Sequence, residues 1–148
     1  MKSIKKYETI INEALRSALE YDTPDGEINE FISFFGKHIG SDRIYIFEDD
    51  EEHHVTNNTY EWCAEGVEPQ IDDLQGVNME VIDWWYEAFD EGKSVIISDV
   101  EELKGVHQVS YNMLCYQNVH NVVVSPLRHK GQIKGFFGVD NPPEGDYN

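Results

Sequence analysis

Hydrophobic residues recur at helical spacing near the start of the chain. Between Ser3 and Tyr21, steps of three and four residues predict a helix, and they give it a narrow apolar seam of the kind that pairs two helices. The seam consists of Ile4, Tyr7, Ile11, Ala14 and Ala18. Leu15 and Leu19 widen this stripe, so the helix also suits packing on its own sheet. We predict a homodimer formed through the seam.

A second helix is predicted to begin at Thr23-Pro24. Thr can cap the free backbone N–H groups of a helix, and Pro at the first helical position has no N–H to lose. Gly40 lies where a left-handed cap would end the helix. The apolar face between these signals is formed by Ile28, Phe31, Ile32, Phe35 and Ile39. This helix should cover one face of a sheet.

Alternation with a period of two marks the first strands. In the strand predicted over Asp42 to Asp49, Arg43, Tyr45 and Phe47 point one way and the intervening isoleucines the other, so both sheet faces should be buried. A second strand, inside the segment Asn57 to Gln70, places Tyr60 and Trp62 on one face and ends at Gly66. It suits either the wall of a ligand pocket or a core strand followed by a turn.

The remaining pattern completes an α+β domain. Further helices are predicted over Met79 to Asp90 and Val106 to Gln117, with Trp85 rather than Trp84 facing inward. A short strand is predicted over Ser94 to Ser98, and a closing hairpin over Asn121 to Arg128 and Gln132 to Asp140. This order favours an antiparallel sheet within one domain over residues 1–148, with an N-terminal helix in 1–21 and the start of a linker in 142–148.

Charge restricts the partners of the domain. The 29 acidic and 11 basic residues give a formal net charge of -18, which repels polyanions, so we expect neither nucleic acid nor an anionic membrane as a partner. No apolar run approaches the roughly 20 residues that span a bilayer, and the first residues lack the apolar core of a secretory signal. These features predict a soluble cytoplasmic protein.

Motifs for metal binding or catalysis are not found in the sequence. The acidic run Glu48 to Glu52 suits a solvated hairpin turn better than a calcium loop, because it lacks the ligand spacing and central Gly of an EF-hand. His53 and His54, placed at the start of the next strand, would point to opposite faces and share no metal. Cys63 and Cys115 are too far apart in sequence to suggest a metal-binding pair. We predict a domain without metal and without enzymatic activity.

Three segments of the sequence resemble GAF domains of bacterial signalling proteins. They are Asp42 to Glu48, Asn58 to Val67 and Gly135 to Pro142, and they resemble in particular the GAF domains that precede GGDEF diguanylate cyclase or EAL phosphodiesterase modules. The resemblance implies a PAS-related antiparallel sheet of about six strands with helices on both faces. It also implies a ligand pocket between the sheet and the two later helices, dimers built on terminal helices, and a covalently linked output module that makes or degrades cyclic di-GMP.

Specialised GAF domains match the sequence less well. Bilin-binding members commonly attach the chromophore to a Cys followed by His, whereas Tyr116 follows Cys115 and Ala64 follows Cys63, so a covalent bilin is not expected. GAF-fold methionine sulfoxide reductases act through several cysteines, and two are too few for that pattern, which leaves this activity a remote alternative. The cofactor and the ligand stay open.

The residues favour an aromatic-walled cavity with a few polar groups. The candidate ligand-binding residues are Arg43, Tyr45, Phe47, Tyr60, Trp62, Trp85, Tyr111, Leu114, Asn121 and Asp140. Each has a structural alternative, since aromatic residues also pack in cores, Arg43 can pair with a carboxylate, and Asp140 can cap a turn. We therefore predict a regulatory domain that senses a small molecule. The alternative is a ligand-free dimerisation or interaction module whose cavity is filled by side chains.

Overall fold

The computed structural model describes residues 2–143 and the side chains of residues 7–143. Within that part of the chain, four α-helices pack on one six-stranded antiparallel sheet with the strand order β3-β2-β1-β6-β5-β4. The helices are α1 (Lys2–Ala18), α2 (Pro24–Ile39), α3 (Asp83–Asp90) and α4 (Gln108–Tyr116). The strands are β1 (Arg43–Asp50), β2 (Val55–Cys63), β3 (Val77–Asn78), β4 (Val95–Ile97), β5 (Val122–His129) and β6 (Gln132–Asp140). Short 3-10 helices span Ile71–Asp73, Met79–Ile82 and Val100–Leu103.

The predicted α+β architecture is confirmed. Two separate clusters of buried residues lie on the two faces of the sheet, one with α1 and α2 and the other with α3 and α4. The two-residue strand β3 was not predicted, because a segment this short carries no visible alternation.

The layer with α1 and α2 is apolar. Thr23 caps α2 by accepting a hydrogen bond from Gly26 N, and Gly40 ends it in the left-handed conformation, as the sequence predicts. The α2 face carries Ile32, Phe35 and Ile39 onto Ile44 of β1. Gly36 allows the closest approach, because a Cβ there would overlap the Trp62 ring and lie 2.7 Å from Ile44 Cγ1. We refer to this side of the sheet as the dry face.

Most of the predicted dimer seam packs inside the chain instead. Ala14 and Ala18 are 0% and 6% exposed, which leaves them no surface for a second copy. Ala14 belongs to the buried cluster of the dry face, and Tyr7 packs against that cluster. This differs from the prediction because the packing of α1 on α2 uses the small residues of the stripe, and small residues let helices approach closely. Ile11, Leu15 and Leu19 remain exposed. The side chain of Ile4 lies outside the described residues.

The acidic turn is shorter than predicted, and the histidines lie in it. Strand β1 continues through Asp50, which pairs with Val55, because backbone pairing leaves the alternate side chains free to reach solvent. Both His53 and His54 lie in the turn rather than in β2, and His54 adopts a left-handed backbone conformation with φ 55. Both side chains are exposed.

Two further expectations concern the surroundings of the domain. The linker predicted in 142–148 lies outside the described residues from position 144 onwards. Among residues 2–143, no helix has the length and apolar character needed to cross a membrane.

Candidate functional site

A small cavity lies between the sheet and the layer that contains α3 and α4. Its aromatic walls come from β1, β6 and α3: the rings of Phe47 and Phe136 stack with centroids 4.7 Å apart, and Trp85 meets Phe136 edge-on at 5.5 Å. The complete lining consists of Arg43, Tyr45, Phe47, Asn58, Glu61, Leu74, Val77, Ile82, Trp85, Met113, Gln117 and Phe136. Apolar surface therefore surrounds a few polar groups, which is the usual composition of a ligand site.

The cavity is much smaller than an open ligand pocket. Its volume is about 30 Å³, whereas pockets for drug-sized molecules occupy about 300–1,000 Å³. A cavity needs roughly 10–15 Å³ on this measure to hold one water molecule. The site thus has space for water but not for a ring compound in the conformation described.

Arg43 is the centre of a buried polar network beside the cavity. Its Nη1 donates to Asp140 Oδ2 at 2.6 Å, and its Nη2 donates to the backbone oxygen of Glu68 at 2.7 Å. Tyr45 OH donates to the other oxygen of Asp140 at 3.0 Å. The Glu61 carboxylate lies 3.6 Å from Arg43 Nε. One cation is therefore held between two buried carboxylates.

Burial dominates the proton affinity of Asp140. It raises the pKa of the carboxyl to about 6, although Arg43 and Tyr45 act in the opposite direction. Burial also raises the pKa of Tyr45 well above its ordinary value, so the phenol keeps its proton and donates to Asp140. The carboxylate is costly to keep charged in this position even with a guanidinium beside it.

Two buried N–H groups at the cavity have no hydrogen-bond partner among the described residues. They are Arg43 Nε and Trp85 Nε1, on residues that are 3% and 2% exposed. Both residues line the cavity. An unsatisfied buried donor costs about 1–3 kcal/mol, so these two atoms favour an acceptor inside the cavity.

Residues 64–78, which we term the cover segment, close one side of the cavity with Leu74 and Val77. Hydrogen bonds fasten this segment to β2. Glu61 Oε2 accepts from Gln70 N at 2.9 Å, Asn58 N donates to Leu74 O at 3.0 Å, and Gln75 Nε2 donates to Asn58 O at 2.7 Å. Arg43, through the oxygen of Glu68, is attached to the same segment.

The structure brings four of the candidate ligand-binding residues together: Arg43, Tyr45, Phe47 and Trp85 all line the cavity. Arg43, Tyr45 and Phe47 share one face because side chains alternate along β1, as predicted. Of the two adjacent tryptophans, Trp85 faces inward, also as predicted. Asp140 lies behind them, bonded to Arg43 and Tyr45.

The other five candidates do not line the cavity. Tyr60 and Trp62 lie on the dry face, because the register of β2 places Glu61 opposite Tyr45 and sends its neighbours to the other side. Leu114 packs in the aromatic core, and Tyr111 OH donates to Glu101. The fifth, Asn121, donates through Nδ2 to Pro142 O at the end of the sheet.

Several lining residues were missed by the sequence reasoning. They are Asn58, Glu61, Leu74, Val77, Ile82, Met113, Gln117 and Phe136. Glu61 was hidden because it alternates with the more prominent Trp62, and only the pairing with β1 decides which of the two faces α3. The Leu74 and Val77 positions depend on how the cover segment folds back, for which the sequence pattern gives no signal.

The remaining polar side chains suggest no metal site. No group of three or more His, Cys, Asp or Glu side chains in the described part of the chain is placed to hold an ion. Cys63 lies next to Arg43 in the network, and burial raises its pKa to about 11, which disfavours the reactive thiolate at neutral pH.

Comparisons with known proteins identify the fold. No protein-family model and no curated protein match the sequence. Solved structures do match, among them the GAF domain of a phosphoenolpyruvate-protein phosphotransferase from Coxiella burnetii. This domain is 11% identical, the match covers 93% of this chain and 79% of that chain, and the TM-score is 0.69. The blue-light-absorbing form of the Thermosynechococcus elongatus PixJ GAF domain is 17% identical, covering 97% of this chain and 74% of that one, with a TM-score of 0.61.

A third similar structure is an enzyme. It is the free methionine-R-sulfoxide reductase from Neisseria meningitidis in complex with its substrate, at 12% identity, 95% coverage of this chain, 75% of that chain and a TM-score of 0.68. Identities this low establish the shared fold alone.

Proposed function

We propose that this chain, which has the GAF fold, is the sensory domain of a bacterial signal-transduction protein and that a small molecule in the described cavity regulates it. The observation that supports the proposal most directly is the pair of buried, unpartnered donors, Arg43 Nε and Trp85 Nε1, on an aromatic-walled cavity. A ligand that accepts from them would satisfy both donors inside the cavity.

Arg43 connects the cavity to two other parts of the domain. Its guanidinium holds the cover segment through Glu68 O and the last residue of β6 through Asp140. A ligand that competes for Arg43 would change the packing of both. Regulation requires that the ligand bind one arrangement more tightly than the other, because equal affinity shifts no equilibrium.

We further propose that the output is a covalently linked module for the synthesis or degradation of cyclic di-GMP. Support comes from the sequence resemblance of Asp42 to Glu48, Asn58 to Val67 and Gly135 to Pro142 to GAF domains found with GGDEF and EAL modules. In this arrangement the domain itself is not an enzyme, and we expect no turnover of free methionine sulfoxide and no change on Cys63→Ala or Cys115→Ala. Turnover that either substitution abolished would contradict this part.

A homodimer formed through α1 is the proposed transmission element. Since Ala14 and Ala18 are buried, the proposed contact is the exposed stripe of Ile11, Leu15 and Leu19, of which the latter two are 50% and 75% exposed. Leu15→Glu should convert a dimer to a monomer in analytical ultracentrifugation. Thr9→Glu adds the same charge at an exposed position on another side of α1 and should leave the dimer intact. A dimer that survives Leu15→Glu would contradict the proposed contact.

The small volume favours a second candidate function. At about 30 Å³ the cavity is close to filled, as expected of an interaction module that binds no ligand. In that case the unpartnered donors would be satisfied by enclosed water.

A thermal-shift screen separates the two functions. We would test the chain against cyclic nucleotides, amino acids, haem and common metabolites, where binding at about 100 times Kd adds roughly 2.7 kcal/mol and moves Tm by several degrees. A hit should disappear in Val77→Phe, which fills the cavity from the cover segment, and persist in Val67→Phe, which alters the same segment away from the lining. The absence of any hit would overturn the sensory function in favour of the interaction module.

A further inference from the structure

Two fully buried donors at the cavity have no hydrogen-bond acceptor among the described residues. Arg43 Nε and Trp85 Nε1 donate no hydrogen bond to a described residue, and the nearest carboxylate oxygen to Arg43 Nε, on Glu61, lies 3.6 Å away. The nearby carboxylates, in contrast, are occupied: Glu61 accepts from the backbone N–H groups of Gln70 and Ile71, and Asp140 accepts from Arg43 and Tyr45. A bound molecule that supplies acceptors, such as a carbonyl oxygen or a ring nitrogen, would satisfy these two donors.

The local charge acts against an anion. The single cation, Arg43, already lies 2.6 Å from the Asp140 carboxylate and 3.6 Å from that of Glu61, and all three side chains are nearly buried. An added anion would meet a surplus of negative charge in a region where burial weakens screening by water. An ammonium group has the opposite fault, because it carries donors and no acceptor.

The walls fit a flat ring. Phe47 and Phe136 are nearly parallel, with 13° between their planes, while Trp85 stands at 86° to Phe136. Aromatic faces and edges in this arrangement stabilise planar rings by offset stacking and edge contacts. With a volume of about 30 Å³, the cavity admits such a ring only when its walls move outward.

We infer that the cavity selects an uncharged, planar ring compound that bears a carbonyl oxygen or ring nitrogen, as nucleobases and aromatic carboxamides do, and that it rejects the corresponding anions. The acceptors of this compound accept hydrogen bonds from Arg43 Nε and Trp85 Nε1, while its ring packs against the wall formed by Phe47, Phe136 and Trp85. This inference rests on the proposed sensory function, because it specifies the ligand class of the same site.

Matched pairs of compounds test the inference directly. The probes are nicotinamide against nicotinate, uracil against orotate, and adenine against cyclic AMP, which share a ring and differ in charge. The chain has three tryptophans, so ¹⁵N NMR gives three indole N–H signals that Trp→Phe variants can assign. In at least one pair, the neutral compound should shift the Trp85 signal with a Kd at least tenfold lower than that of its anion. The signal of Trp84, whose Nε1 donates to Ser110 Oγ at 3.0 Å, should shift less.

Two variants separate the hydrogen bond from packing. Trp85→Phe keeps an aromatic ring and removes the donor, so the neutral compound should bind at least tenfold more weakly. Trp84→Phe is the matched control, because Trp84 does not line the cavity. This variant should bind the neutral compound with the same affinity as the unmodified chain. Circular dichroism checks that both variants fold; the comparison between neutral and anionic compounds uses the unmodified chain and does not depend on them.

Four results would overturn the inference. Equal or tighter binding of the anions, or undiminished binding by a folded Trp85→Phe variant, would do so while the sensory function stands. If none of the six compounds binds but the metabolite screen finds an anion that does, the inferred ligand class would be overturned and the sensory function would stand. Failure of all six compounds and of the whole screen would remove both.

Discussion

The two faces of the sheet are stabilised in different ways. On the dry face, apolar side chains of α2 meet Ile44 and Val139, and no buried polar side-chain atom among the described residues of this face lacks a hydrogen bond. On the other face, a buried ion pair, two unpartnered donors and a cavity lie among aromatic rings. Apolar packing needs no further partner, whereas buried polar groups do, so the second face is where binding can change the free energy of the fold.

Removal of the buried cation should have the largest effect. Arg43→Met leaves Asp140 without its ion-pair partner, and breaking a buried pair in this way typically costs about 3–5 kcal/mol. Ile44→Val, the neighbouring change on the dry face, should cost about 0.5–1.5 kcal/mol. Urea denaturation at pH 7.5 measures both values. Equal losses in the two variants would show that the faces do not differ as described.

Acidification should stabilise the folded chain through the buried carboxyl of Asp140. Because burial raises the pKa of Asp140 from 3.8 to about 6, the folded chain binds a proton that the unfolded chain does not bind between these values. Stability from this group is therefore present below about pH 4 and is lost as the pH rises through 6. A displacement of about two pKa units corresponds to about 3 kcal/mol.

Asp140→Asn isolates this contribution from the other carboxylates. Between pH 7.5 and 4.5, the free energy of unfolding of the unmodified chain should rise by about 2 kcal/mol more than that of Asp140→Asn. Denaturant unfolding at several pH values measures this difference. The same pH dependence in both proteins would contradict the assignment to Asp140.

On the dry face, added volume should be harmful. Gly36→Ala places a Cβ against the Trp62 ring, and overpacking costs about 1–3 kcal/mol, although the better helix propensity of Ala returns about 1 kcal/mol. We expect a net loss of up to about 2 kcal/mol in urea denaturation. Trp62→Leu makes room, so Gly36→Ala should be tolerated better in that background. A stabilised Gly36→Ala single variant would be evidence against the tight contact.

The smallest expected effect is on reactivity rather than stability. Cys63 belongs to the polar network, and its pKa of about 11 leaves only about one thiol in a thousand ionised at pH 8, whereas Cys115 is exposed. A maleimide reagent should modify Cys115 at least tenfold faster, as followed by peptide mass spectrometry. Equal rates would indicate that the environment of Cys63 is more open than described.

The order of elements could be predicted from the sequence because periodicity and caps are local signals. Thr23 and Gly40 mark the ends of α2, and the alternation of Arg43, Tyr45 and Phe47 correctly places them on one face. The site was predicted only in part. Which face of β2 meets the cavity depends on its register with β1, which includes an irregularity between Ile46 and Phe47, and no local pattern encodes that pairing.

The assignment of Ala14 and Ala18 to the dimer seam was wrong for a related reason. A stripe with Ala14 and Ala18 has the same spacing whether its partner is α2 or a second copy of α1. The tertiary structure decides between them, because the small side chains let α2 approach and leave the larger Leu15 and Leu19 outside.

The hydrogen bonds between the cover segment and β2 also limit the rate at which a ligand can enter the cavity. Since the enclosed volume admits nothing larger than water, a ligand that enters past the cover segment must wait until Gln70, Leu74 and Gln75 release their partners on β2. The observed association rate should then level off with concentration at the opening frequency of this segment instead of rising towards the diffusion limit. The proposed sensor would then average ligand concentration over the interval between openings and would respond only to sustained changes.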